Sequence, residues 1–183
     1  MRKHLSEQVK KEMEQEALNC FLDVYETVTH QTLEVLESTE RPDFICMRQN
    51  GERVGLELVK VRRSHPNDIL WDEIIEKQNH MALDLALEMI QKVAVLKDKK
   101  RNEPDWELPE AAILLIELRD ISLLEIKSCI SEQVLPDLFS AGFAEIWLAD
   151  FSGLEAYDNI ELFCIKPDKF CGYYPRGIQK PYG

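Results

Sequence analysis

An α/β fold, one mixed central sheet flanked by helices in a single domain spanning residues 1–183, is what the chain predicts, on two observations. Segments with helical spacing of apolar residues alternate with short apolar runs of strand length, in the order helix, three strands, helix, strand, helix, strand, strand. The second and third strands flank Gln49-Asn50-Gly51, a turn sequence that makes them a hairpin.

Each element has its own signal. A helix is expected from Leu5 to about Thr27, with Val9, Met13, Ala17, Leu18, Phe21, Leu22 and Tyr25 on one face. Leu33 to Leu36 reads as a strand, followed by the hairpin from Arg41 to Lys60. Pro66 and Asn67 precede a long helical pattern from about Asp68 to Lys99, with acids in its first turn, lysine in its last, and Leu70, Ile74, Met81, Leu85 and Met89 as its buried stripe. After a polar break from Arg101 to Pro109 come a continuous apolar strand (Ala112 to Glu117), a helical stretch disturbed by Pro136 (Ser122 to Ser140), and strands from Ala144 to Ala149 and Ile160 to Ile165. Residues 166–183 read as a tail rich in glycine, proline and tyrosine.

Composition narrows the function classes. The N-terminus has no apolar signal core and the most apolar helix carries Asp84, Glu88 and Lys92, so a soluble, cytoplasmic protein with no membrane partner is expected. Five cysteines without CxxC spacing, four of them in apolar segments, read as reduced structural thiols. A net charge of −12 argues against a simple nucleic-acid binder, since phosphate contacts come chiefly from lysine and arginine. Basic residues are nevertheless clustered: Lys60, Arg62, Arg63 and His65 in one place, Lys97, Lys99, Lys100 and Arg101 in another, where they also suit a helix C-terminus. Neither zinc-ligand spacing, a glycine-rich phosphate loop nor a GxSxG elbow is present.

The hairpin carries the chemistry. A two-residue turn at Asn50-Gly51 would set Phe44 opposite Glu57 and mix acid with hydrophobe on both faces. A three-residue loop with Gly51 in the left-handed conformation instead pairs Arg48 with Glu52 and Asp43 with Glu57. Phe44, Cys46, Val54, Leu56 and Leu58 then share one side, and Asp43, Ile45, Gly55 and Glu57 the other. Two carboxylates in apolar strand sequence need a cation, and Gly55, lacking a side chain, is expected to leave room for an ion or a phosphate oxygen.

This element order, with Pro42-Asp43 and Glu57 on a hairpin, resembles the PD-(D/E)xK nuclease superfamily, whose restriction endonuclease-like fold has an αβββαβ core. The resemblance covers the first half closely and the second half as topology. It implies Asp43 and Glu57 as ligands of Mg2+ or Mn2+, joined by the backbone carbonyl of Leu58 and by a glutamate of the first helix. Glu14 is chosen there because Ala17, Leu18, Phe21 and Leu22 follow at helical spacing; a solvated helix acid is the other reading. Such cations prefer oxygen donors and can activate water against a phosphodiester.

The chain departs from the motif at its lysine: Val59 stands two residues after the acid, and Lys60, one further on, belongs by strand parity to the opposite face, so it can assist catalysis only through a bulge or by its long stem wrapping the strand end. Lys77 or Gln78 on the second helix is the substitute implied by branches of the superfamily that place a polar residue there; a helical turn that simply reaches water is the alternative. The tail from Phe170 to Gly183, with aromatics and cations, suits either a held single strand or an end packed by Tyr173 and Tyr174. The expectation is therefore a Mg2+- or Mn2+-dependent nuclease cutting DNA or RNA, with a homodimer left open. The alternatives are a nuclease-like fold that serves as a binding or regulatory module, and an unrelated acidic interaction domain.

Overall fold

The computed structural model describes residues 2–61 and 82–177. Helix α1 (Arg2–Thr29) leads into β1 (Leu33–Ser38), β2 (Phe44–Arg48) and β3 (Arg53–Val61); then follow α2 (Leu83–Arg101), β4 (Ala112–Leu118), the short helices α3 (Leu123–Ile126) and α4 (Pro136–Ser140), β5 (Glu145–Asp150), α5 (Leu154–Tyr157), β6 (Glu161–Lys166) and β7 (Gly172–Tyr174). All seven strands form one sheet in the order β1-β2-β3-β4-β5-β6-β7. β3, β4 and β5 are parallel and every other neighbouring pair is antiparallel, so the sheet is mixed. Among the described residues no helix is long and apolar enough to cross a membrane.

Side-chain parity divides the core between two faces. Ala17, Leu18, Phe21 and Tyr25 of α1 pack on Phe44, Cys46, Leu56, Leu58, Ile113, Leu115, Trp147 and Ala149. Ala86, Ile90 and Ala94 of α2 pack on Val61, Leu114, Ile116, Leu118, Ile146 and Leu148 from the other side. β4 is buried along its whole length, as a central parallel strand with both faces covered must be, and its unbroken AILLIEL sequence follows from that.

Several boundaries differ from expectation. Ala82 is extended (φ −63°, ψ 141°), so α2 begins at Leu83 and the pattern from Asp68 to Lys99 is not one continuous helix. Its buried stripe runs through Ala86, Ile90, Ala94 and Arg101, with Leu85 and Met89 at the flank: the small alanines let the helix approach the sheet. The stretch from Ser122 to Ser140 is two short α-helices with a 3-10 turn between them, because Pro136 can start a helix but cannot continue one. The tail is in part a strand: Gly172–Tyr174 pairs with β6, the Tyr173 hydroxyl donates to Glu161 at 2.7 Å, and Tyr174 lies against Trp147. All five cysteines are free, with Cys46 and Cys164 buried.

A buried polar network ties the hairpin to β5. Glu145 is 3 % exposed, and its Oε1 accepts from Arg48 Nη2 at 2.5 Å and from the Tyr25 hydroxyl at 3.2 Å, while Oε2 accepts from Trp147 Nε1 at 2.8 Å. Removing the guanidinium would leave a buried carboxylate without its counter-charge. Arg48→Met is expected to destabilise the protein by about 3 kcal/mol, a fall in Tm of roughly 6–12 °C by thermal melting. A change within 2 °C, roughly 0.5–1 kcal/mol, would show that solvent already reaches Glu145.

Candidate metal centre

The hairpin has the expected register. Phe44 pairs with Leu56, Ile45 with Gly55, Cys46 with Val54 and Met47 with Arg53. At the turn the Arg48 N–H donates to the Glu52 carbonyl and the Gly51 N–H to the Arg48 carbonyl, each at 2.9 Å, with Gly51 at φ 83°. Continued one pair beyond Phe44, this register sets Asp43 beside Glu57. The two are in contact: the Asp43 backbone N–H donates to Glu57 Oε2 at 3.2 Å, and Asp43 Oδ2 accepts from the Leu58 N–H at 2.8 Å.

The loop carrying Asp43 is held from two directions. The Thr39 N–H donates to the Asp43 carbonyl at 2.9 Å and the Thr39 hydroxyl to the Pro42 carbonyl. Arg41 bridges to Glu103 at 2.7 Å and to Asp105 at 2.8 Å, just beyond α2. The space over Gly55 is filled: a Cβ built there would stand 2.6 Å from Pro42 Cγ, so this glycine admits the proline ring and not an ion. Gly55→Ala is expected to push Pro42 and Asp43 outward, costing about 1–3 kcal/mol in thermal melting. An unchanged Tm would mean that the loop yields freely.

A lysine that sequence reasoning placed elsewhere completes the pair. Lys97 Nζ forms an ion pair with Glu57 Oε1, and their side chains are 19 % and 5 % exposed. Lys97 continues the α2 stripe, three residues after Ala94, so the helical period was the signal that could have found it. The cluster of Lys97, Lys99, Lys100 and Arg101 is consequently not one basic patch: Arg101 also turns inward, bonding Asp98 and the Pro109 carbonyl at 2.8 Å. Lys77 and Gln78, with Arg62, Arg63 and His65, lie outside the described residues.

These groups border a cleft of about 390 Å³ at the sheet end, lined by Val9, Lys10, Met13 and Glu14 of α1, Asp43, Leu58, Val59, Lys60, Lys97 and Glu117. Glu14 lines it from α1, paired with Lys10 at 3.3 Å. Lys60 is on the face away from Glu57, as parity requires, yet lines the same cleft because the cleft wraps the end of the strands. Leu58 adds its N–H to the site, bonded to Asp43.

Electrostatics single out Asp43. Burial, then the neighbouring charge of Glu57, push its carboxyl up to about 6, against the Leu58 N–H and Lys97; Glu14 adds to the rise. Glu117 is also raised, by burial above all. Among the described residues no three His, Cys, Asp or Glu side chains gather as a ready metal cage. The donors do fit a hard divalent ion of the kind that takes one or two carboxylates and keeps its waters. Asp43 and Glu57 repel each other and supply oxygen alone, and Lys97 provides the compensating charge at Glu57.

No family model, curated protein or solved structure matches the chain. Function must be argued from this cleft.

Proposed function

We propose that the protein is a Mg2+- or Mn2+-dependent phosphodiester hydrolase, a nuclease acting on DNA or RNA, built on a restriction endonuclease-like αβββαβ core. One observation carries the reading: the hairpin register brings Glu57 against Asp43, which lines a cleft, with Lys97 on the pair. The order of α1, β1-β2-β3, α2 and β4, with β4 parallel to β3, supports the core.

Asp43 and Glu57 would hold the ion, with Glu14 reaching it from α1; when bound, the ion supplies an activated water and offsets charge at the scissile phosphate. The Leu58 N–H fixes one oxygen of Asp43, which would set the carboxylate for holding the ion. Lys97, whose ammonium stands at the carboxylate pair, would donate to a phosphate oxygen, the task the motif gives to the position occupied here by Val59. Lys60 approaches from the α1 side.

The test is cleavage of single- and double-stranded DNA and RNA by the purified full-length protein with Mg2+ or Mn2+. Cleavage is expected, together with its loss in Glu57→Gln; full activity in that variant would sink the proposal. A second reading, a nuclease-like module that binds without cutting, is favoured by Lys97 already neutralising Glu57. It requires no saturable Mn2+ binding in calorimetry, whereas the nuclease requires binding that depends on Glu57.

A further inference from the structure

The cleft has a second end that the carboxylate pair does not use. Glu117, on β4, is 0 % exposed; its Oε2 accepts from Arg119 Nε at 3.1 Å and Nη2 at 2.5 Å, while its Oε1 is buried with no hydrogen-bond partner among the described residues. A buried carboxylate oxygen without a donor is costly, and it marks a place where a partner is to be supplied. Lys60 stands directly opposite Glu117 in the parallel register of β3 and β4, on the same face, and both line the cleft. Arg119 is fixed from behind, its guanidinium 4.4 Å from the centre of the Phe151 ring.

Charge separates the two ends. Asp43, Glu57 and Lys97 carry one more negative than positive charge, which calls for a cation. At the other end Arg119, behind the cleft lining, already balances Glu117, and the Lys60 ammonium is the charge left to face an anion. We propose that Lys60, Glu117 and Arg119 form a phosphate-binding arm of the cleft, in which Glu117 is the positioning residue that holds the Lys60 ammonium on a non-bridging phosphate oxygen. The substrate rests on the nuclease reading; the arm rests on its own geometry. Arg119 anchors one oxygen of Glu117, which leaves the other for the ammonium of its strand neighbour Lys60, and an ammonium has donors enough to bond Oε1 and a phosphate oxygen together.

The arm can be tested without turnover, by phosphorus NMR titration of inorganic phosphate against metal-free full-length protein. Lys60→Gln and Glu117→Gln are each expected to weaken phosphate affinity about tenfold, and the double variant also about tenfold, because both act through one ammonium. A double variant weaker by about a hundredfold would show independent, merely structural effects and overturn the positioning role. Should Glu117→Gln fail to fold, Lys60→Gln decides alone: unchanged phosphate affinity overturns the arm. Coupled loss of phosphate binding in a protein that cuts no nucleic acid would retain the arm and remove the nuclease. Cleavage with uncoupled phosphate binding would do the reverse.

Discussion

Asp43→Asn is expected to abolish metal-dependent cleavage, by about 10³-fold or more, and at the same time to make the metal-free protein more stable at pH 7. The two effects have one origin. Burial and the charge of Glu57 lift the Asp43 carboxyl from 3.8 to about 6, so the folded chain holds a proton that the unfolded chain has already released. For a carboxyl raised in this way the contribution to stability is complete below about pH 4 and is lost as pH rises through about 6. At pH 7 the ionised Asp43 therefore costs about 3 kcal/mol, which the neutral amide removes while its oxygen still accepts from the Leu58 N–H. Thermal melting at pH 7 should place the variant several degrees above the parent, and at pH 4 the difference should close. Added Mn2+ should reverse the order, since it stabilises only a chain that binds it, by about 4.1 kcal/mol at a thousandfold excess over Kd. A variant less stable than the parent at pH 7 without metal would show that Asp43 is a structural acid.

How much of this could be read from the sequence follows from which rules are local. The hairpin register was legible because Gly51 and strict alternation leave one arrangement in which Phe44, Leu56 and Leu58 share a face, and the observed pairing is that one. Gly55 was misread: the absence of a side chain is visible in sequence, but the Pro42 ring that fills the space is a matter of how the preceding loop folds back. Lys97 was missed because it sits among Lys99, Lys100 and Arg101, whose number suggested a helix end; only the stripe through Ala86, Ile90 and Ala94, one residue displaced from Leu85 and Met89, turns it inward. Glu117 was taken for the end of a buried strand, and its partnership with Lys60 exists only once β3 and β4 are known to be parallel and in that register. The short β7 carried too few residues for a periodic signal.

Lys97→Met should give three results that no other single change in the cleft gives together. The ammonium pairs with Glu57, which is 3 % exposed and among the described residues otherwise accepts only from the Asp43 N–H, so its loss leaves a buried charge and the metal-free protein is expected to melt lower, by about 3 kcal/mol in stability. The same ammonium competes with a cation for Glu57, so Mn2+ affinity measured by calorimetry should rise, by about tenfold. Cleavage should nevertheless fall, by about 10²-fold, because the methyl terminus of methionine cannot donate to the phosphate. The opposition between tighter metal and slower cleavage is the discriminating feature. A lysine that merely balances charge would give the first two effects with undiminished cutting, and a module that binds without cutting would give the first alone, with no saturable Mn2+ binding and no cutting in the parent either. If Mn2+ affinity instead falls in Lys97→Met, the ion does not share Glu57 with the lysine, and the cation must be placed on Asp43 and Glu14, toward the α1 wall of the cleft.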